Sequence, residues 1–313
     1  SGGMNAQTTA ALAAGMLSAL ATLAAVRGIP LGGVLLWLTP FPLFALAFAF
    51  GTAALPMAIG AGLLVTIVSG GAPAAAVWLL VFALPAFALT ALAARGRGAP
   101  SLGVPFALLA LWPAALLAAG EVALAGEPGG LSGTLRRAVE QALAQMGAPR
   151  DATTAELVEA VVRLKPLAFA LWFAVVTLLN ASAAQGFVAR RGLATLPPVR
   201  WAEVALPRWY APVAVIPALA AGFAPGEPGF FAQGLAMVLS VPLVLQGLAV
   251  VHVLSRGRPA RPVLLAATYL GLVLFMLPVG LALAGLGLAE LALNLRGRAA
   301  ARGPKSGQLP PEE

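Results

Sequence analysis

Long apolar blocks, parted by short basic or Gly/Pro-containing breaks, recur along the whole chain. They fall at about 9–26, 31–50, 52–70, 73–94, 102–125, 166–189, 209–224, 229–254, 262–277 and 279–295. A helix needs about 20 such residues to cross a hydrocarbon layer about 30 Å thick. The pattern therefore predicts an all-α, polytopic transmembrane helix bundle of about ten membrane segments, some of them short or proline-broken. The ten-residue alternation of a membrane β-barrel is absent. Between Arg261 and Arg296 one straight helix would reach about 50 Å, and both its ends are basic. A hairpin hinged at Pro278-Val279-Gly280 satisfies both facts.

Residues 127–165 break the pattern with five acids and five bases. Leu131, Leu135, Val139, Leu143 and Met146 recur at helical spacing and predict an amphipathic helix. After Gly147-Ala148-Pro149, Thr153 and Glu156 form a capping-box pattern. The second helix that follows carries Leu157, Val161 and Leu164 on one face. The segment reads as an extracytoplasmic helical hairpin, either lying in the headgroup layer or covering a cavity.

Composition turns the pattern into a class. Of 313 residues, 60% are hydrophobic and 10% charged, against roughly 25% charged in soluble domains. Thirteen of the nineteen Lys and Arg sit in four clusters flanking apolar blocks, around Arg95 and Arg97, Arg190–Arg208, Arg256–Arg261, and Arg296–Lys305. This is a positive-inside distribution rather than a nucleic-acid surface. It predicts a multi-pass protein of the bacterial inner membrane with both termini cytoplasmic; outside the 127–165 hairpin, Arg27 is the one base that falls on the other side. There is no cysteine and one histidine, His252, which argues against a metal site built from histidines. No nucleotide-binding or hydrolase motif occurs, so neither catalytic residues nor a cofactor are expected, and the balance leans away from an enzyme. The leading Ser-Gly-Gly reads as a tag remnant.

Within the apolar blocks the polar exceptions carry the functional question, because such groups are costly in lipid. Thr39, Pro40 and Pro42 lie inside the second block, where proline frees backbone carbonyls that need partners. Asn180 and Gln246 fall mid-span, suited either to interhelical hydrogen bonds or to a cavity lining. Glu290 lies six residues before Arg296, either paired with a base or part of a binding site. Glu121 and Glu127 have no partner acid that helical periodicity brings near. Ala11, Gly15 and Ala19 form a ridge of small residues, as do Ala14, Ser18 and Thr22. Such ridges serve internal packing or the docking of a membrane partner subunit.

Three stretches, "LTPFPLFALAFAFG", "LLNASAAQGFVARRG" and "AGLGLAELALNLRGR", resemble the YybS-like family of bacterial membrane proteins, a domain of unknown function. The closing Gly, acid and Arg of that family correspond to Gly287, Glu290 and Arg296, with Glu290 where Asp is commoner. The resemblance implies an inner-membrane protein without an established activity. Residues 9–98 are also similar to the substrate-binding subunits of energy-coupling-factor vitamin transporters, whose small-residue first helix docks a coupling subunit.

The expected organisation is an N-terminal bundle (1–126), the hairpin (127–165), a C-terminal bundle (166–296) and a disordered cytoplasmic tail (297–313). The expected function is transport-related, or the binding of a small molecule or lipid, in a cavity near Thr39, Pro40, Pro42, Asn180, Gln246 and Glu290. The alternative is a structural or assembly protein that docks partners and has no cavity.

Overall fold

A computed structural model of the chain describes residues 5–95, 102–195 and 201–303. Residues 1–4, among them the Ser-Gly-Gly expected to be a tag remnant, lie outside these, as do Arg97, Arg200, Lys305 and the rest of 304–313. All regular structure among the described residues is helical. Among the described residues seven helices are long and apolar enough to cross a membrane, and Tyr210–Ala221 and Arg261–Leu274 are shorter apolar helices.

Helix α1 (Ala6–Val26) starts at Asn5, whose Oδ1 accepts the Thr8 N–H at 2.8 Å. The chain returns through α2 (Gly32–Leu38) and α3 (Phe41–Phe50), which together make the second crossing. It then enters a helical run of 44 residues, Thr52–Arg95, comprising α4 (Leu55–Val77), a π-helical turn at Trp78–Ala83 and α5 (Leu84–Arg95). Drawn straight, that run would span about 66 Å, twice the hydrocarbon thickness. Gly71, at φ 79° and ψ −178°, breaks it. An L side chain resists that conformation, which glycine adopts freely. The chain doubles back there, so that Trp78 packs on Gly62 and α5 returns beside residues 52–54.

Helix α6 (Gly103–Ala123) leads to α7 (Gly130–Gln145). Asp151 caps the 39-residue α8 (Ala152–Arg190), accepting the Thr154 N–H at 2.8 Å, and these backbone donors lower its carboxyl pKa. The second helix of the hairpin thus runs unbroken into the next crossing. Pro166 costs that helix one hydrogen bond without ending it. The buried face of its first turns is Val158 and Val162 rather than Leu157 and Leu164, which are exposed. The helix is rolled by one residue from expectation because Val139 of α7 and Phe230 pack on that side. Met146, expected on the apolar face of α7, is also exposed.

The remaining elements are α9 (Tyr210–Ala221), α10 (Gly226–Leu254), α11 (Arg261–Leu274), α12 (Met276–Leu293) and α13 (Leu295–Arg302). The α11–α12 turn falls at Phe275, φ −130° and ψ 58°, rather than at Pro278-Val279-Gly280. Pro278 instead occupies the first turn of α12, where a missing N–H costs no helical bond. Residues 297–302 were expected to be disordered. They are helical because Asn294, at φ 48°, caps α13 by accepting the Gly297 N–H.

The two larger apolar cores lie side by side, and a third, small one holds Val139, Val158 and Val162. Leu43, Leu55, Trp78 and Phe82 centre the first, and Tyr210, Val238 and Leu243 the second. Helices α6 and α8 feed both, for instance through Leu109 and Phe173 into one and Ala107 and Ala174 into the other. Contacts bring the ends that carry the basic clusters together: Arg296 bonds Ala202 and Val204, α13 packs on α10, Thr195 bonds Phe48 and α5 packs on residues 52–54; this is here called the basic end. Arg27 lies at the opposite end, its guanidinium donating to the Ser69 carbonyl.

Helices α10 and α12 touch backbone to backbone. A Cβ on Gly247 would stand 2.1 Å from the Leu283 carbonyl oxygen, and one on Gly287 2.1 Å from that of Leu243. Gly247→Ala is therefore expected to force the two helices apart and cost about 1–3 kcal/mol. Gly280→Ala, which meets nothing within 4 Å, should stay within about 0.5 kcal/mol of the parent. Thermal unfolding in detergent distinguishes the two, and equal stability of both variants would show that the contact is slack.

Candidate functional site

The proline-broken crossing is stitched shut by side chains. Pro40 and Pro42 offer no N–H, and the helix parts between Leu38 and Phe41. The Thr39 carbonyl accepts the Ser18 hydroxyl at 2.7 Å, and Ser18 Oγ in turn accepts the Trp78 indole N–H at 3.0 Å. The hydroxyls of Thr22 and Thr39 lie 3.3 Å apart. The Trp37 carbonyl takes the Asn180 amide at 2.7 Å, and the same Nδ2 also donates to Val176 O at 2.7 Å. Ser18, Thr22, Thr39, Trp78 and Asn180 are all buried. The carbonyls of Trp37 and Thr39 thus face protein. Each such group left unpaired in hydrocarbon would cost several kcal/mol.

Gln246 and Glu290 tie the second half together in the same way. Gln246 Oε1 accepts the Leu206 N–H at 2.8 Å, and its Nε2 donates to Gly287 O at 3.3 Å. Glu290 pairs with Arg296 at 2.7 Å, and Arg296 donates onward to the carbonyls of Ala202 (2.6 Å) and Val204 (3.1 Å). Both charged side chains are almost fully enclosed. Of the six residues singled out in the sequence, Thr39, Pro40, Pro42 and Asn180 come together, while Gln246 and Glu290 meet separately around Gly287. His252 Nε2 lies 2.7 Å from the Tyr269 hydroxyl and joins α10 to α11.

On the ridge of small residues, Ala11, Gly15 and Ala19 are all buried, and a Cβ on Gly15 would stand 2.0 Å from the Ala58 carbonyl oxygen. In this chain that face is occupied by α4.

At the end opposite the basic one, Glu121 does have a partner acid. Its carboxyl stands beside that of Glu227, from the first turn of α10, and its Oε1 is buried without a hydrogen bond. Glu227 also accepts from the Ser132 N–H (3.1 Å) and hydroxyl, capping the first turn of α7. The two acids are 106 positions apart in the sequence, beyond any local pattern. Arg136 and Glu159 close the hairpin at 2.5 Å on its exposed side, where such a pair adds about 0–1 kcal/mol.

A groove of about 340 Å³ opens on the bundle surface between α1, α3 and the last turn of α8. Ala13, Leu17, Pro42, Ala49 and Phe187 line it, and Arg191 is its one charged side chain. The volume suits a small apolar ligand. Periodicity gave no hint of it, since its walls come from three distant segments; Pro42 was the one sequence-level pointer.

The family described as predicted membrane protein (DUF2232) matches residues 16–291. The chain belongs to this family. No curated protein and no solved structure matches. The DUF2232 match runs from inside α1 to one residue past Glu290, so it takes in the proline pair, Asn180, Gln246 and Gly287. Arg296, the ionic partner of Glu290, lies beyond it.

Asn180→Ala and Gln246→Ala should each cost about 1–3 kcal/mol by stranding backbone partners. Arg296→Ala should cost about 3–5 kcal/mol by leaving Glu290 buried and unpaired, and Glu290→Leu with Arg296→Leu markedly less. Unfolding of the purified variants in detergent reads all four. A double variant as damaged as the single one would show that the pair does more than neutralise itself.

Proposed function

We propose that this multi-pass membrane protein binds lipid at the groove between α1, α3 and α8, with its basic end facing the cytoplasm of a bacterial inner membrane. The observation that carries the reading is the groove itself. It is concave and apolar, it lies on the bundle surface, and Pro42 and the small residues of α1 and α3 form its walls. The orientation rests on the gathering of Arg95, Arg190, Arg256 and Arg296 at one end. The Thr39 hydroxyl is spent on the Leu35 carbonyl and the Thr22 hydroxyl, and Asn180 and Gln246 are spent on backbone partners, which favours lipid over a polar solute. Residues 127–165 then form an extracytoplasmic cap on the C-terminal half.

A scaffold role is the second reading. It is favoured by the close α10–α12 contact and the enclosed Glu290–Arg296 pair, both of which suit a rigid body that partner subunits could engage. A docking role for Ala11, Gly15 and Ala19 would require α4 to move aside.

Ala13 is exposed and lines the groove, so Ala13→Trp should fill the groove without disturbing the core. Protein extracted in mild detergent is expected to carry bound lipid, and the variant to carry about ten-fold less, since about two methylenes at about 0.8 kcal/mol each lose their seat. Native mass spectrometry measures the occupancy. Unchanged lipid in a folded Ala13→Trp protein would favour the scaffold.

A further inference from the structure

We infer that the groove selects an anionic phospholipid, with an acyl chain lying along Ala13, Leu17 and Pro42 and the phosphate held by Arg191. This rests on the lipid-binding reading above and adds the headgroup to it. The groove follows α1 from Ala10 to Leu17, about 10 Å along the axis, which is acyl-chain depth in the leaflet at the basic end. Arg191 stands where that track reaches the surface, directly after the last residue of α8.

The guanidinium carbon lies 4.3 Å from the centroid of the Phe187 ring. Stacking covers one face of the guanidinium and leaves its in-plane N–H donors at the edge, the geometry that accepts a phosphate. Among the described residues no carboxylate pairs with Arg191. The segment that carries it is fixed in place. The Thr195 N–H and hydroxyl both donate to the Phe48 carbonyl, at 3.0 and 2.7 Å, pinning residues 191–195 across the end of α3. Leu193 then closes the groove beside Arg191. A zwitterionic headgroup would bring a second cation toward Arg190 and Arg191, whereas an anionic one brings none.

The test uses the full chain, stripped of lipid in a non-ionic detergent and titrated with phosphatidylglycerol or phosphatidylcholine of identical acyl chains. Native mass spectrometry reads the bound lipid. The parent is expected to bind phosphatidylglycerol about five-fold more tightly. Arg191→Gln should abolish that preference while still binding phosphatidylcholine. Arg190→Gln, which removes the same charge from a side chain outside the groove, should keep it. Equal binding of the two lipids by the parent, or equal loss in both Arg variants, would overturn the headgroup assignment. The lipid reading itself is separable: Ala13→Trp should weaken both lipids alike, and a variant that binds both as the parent does would remove the groove from consideration.

Discussion

Every crossing of this bundle must find partners for its backbone inside a solvent that offers none. Where the helices are regular, the i to i−4 ladder suffices. At Leu38–Phe41 it does not, and the shortfall is met by the Ser18 hydroxyl and the Asn180 amide. Those two residues belong to α1 and α8, so the break in one helix fixes the positions of two others. Trp78, brought back by the reversal at Gly71, braces Ser18 from a third direction. The prolines thus organise the N-terminal half by creating a need that only assembled neighbours can meet.

The C-terminal half obeys the same constraint with different chemistry. Gly247 and Gly287 let α10 and α12 approach until their backbones touch, and Gln246 then links the Gly287 carbonyl to the Leu206 amide. Glu290 and Arg296 extend the link to residues 202–204. A charge pair this enclosed is weak evidence of net stability, yet removing either partner leaves the other stranded. It therefore acts chiefly to fix where the α12–α13 corner meets the segment before α9.

Much of this was legible in the sequence because lipid imposes a length and a polarity on each segment. The ten apolar blocks and the proline break both follow from those two rules. What the rules do not contain is the rotation of a helix about its own axis. Val158 and Val162 are buried where Leu157 and Leu164 were expected, because Phe230, some seventy positions later, sets that face. Pro278 marked a turn that actually occurs three residues earlier, since proline suits the start of a helix as well as its end. Glu227 was invisible as the neighbour of Glu121, and Arg191 read as one more basic flank until the chain folded Phe187 and Leu193 around it. The candidate site is thus a tertiary product of residues that are individually ordinary.

The cap on α7 bears on how the molecule is made. Gly129, at the start of that helix, supplies no side-chain acceptor, and the carboxylate that serves its first turn belongs to Glu227. That carboxylate lies ninety-five positions later than Ser132. In the order of synthesis α7 is made well before α10 exists. Until α10 is in place, the Ser132 amide lacks the carboxylate that caps it. Full capping of α7 therefore waits on an acidic residue that the chain supplies only ninety-five positions downstream.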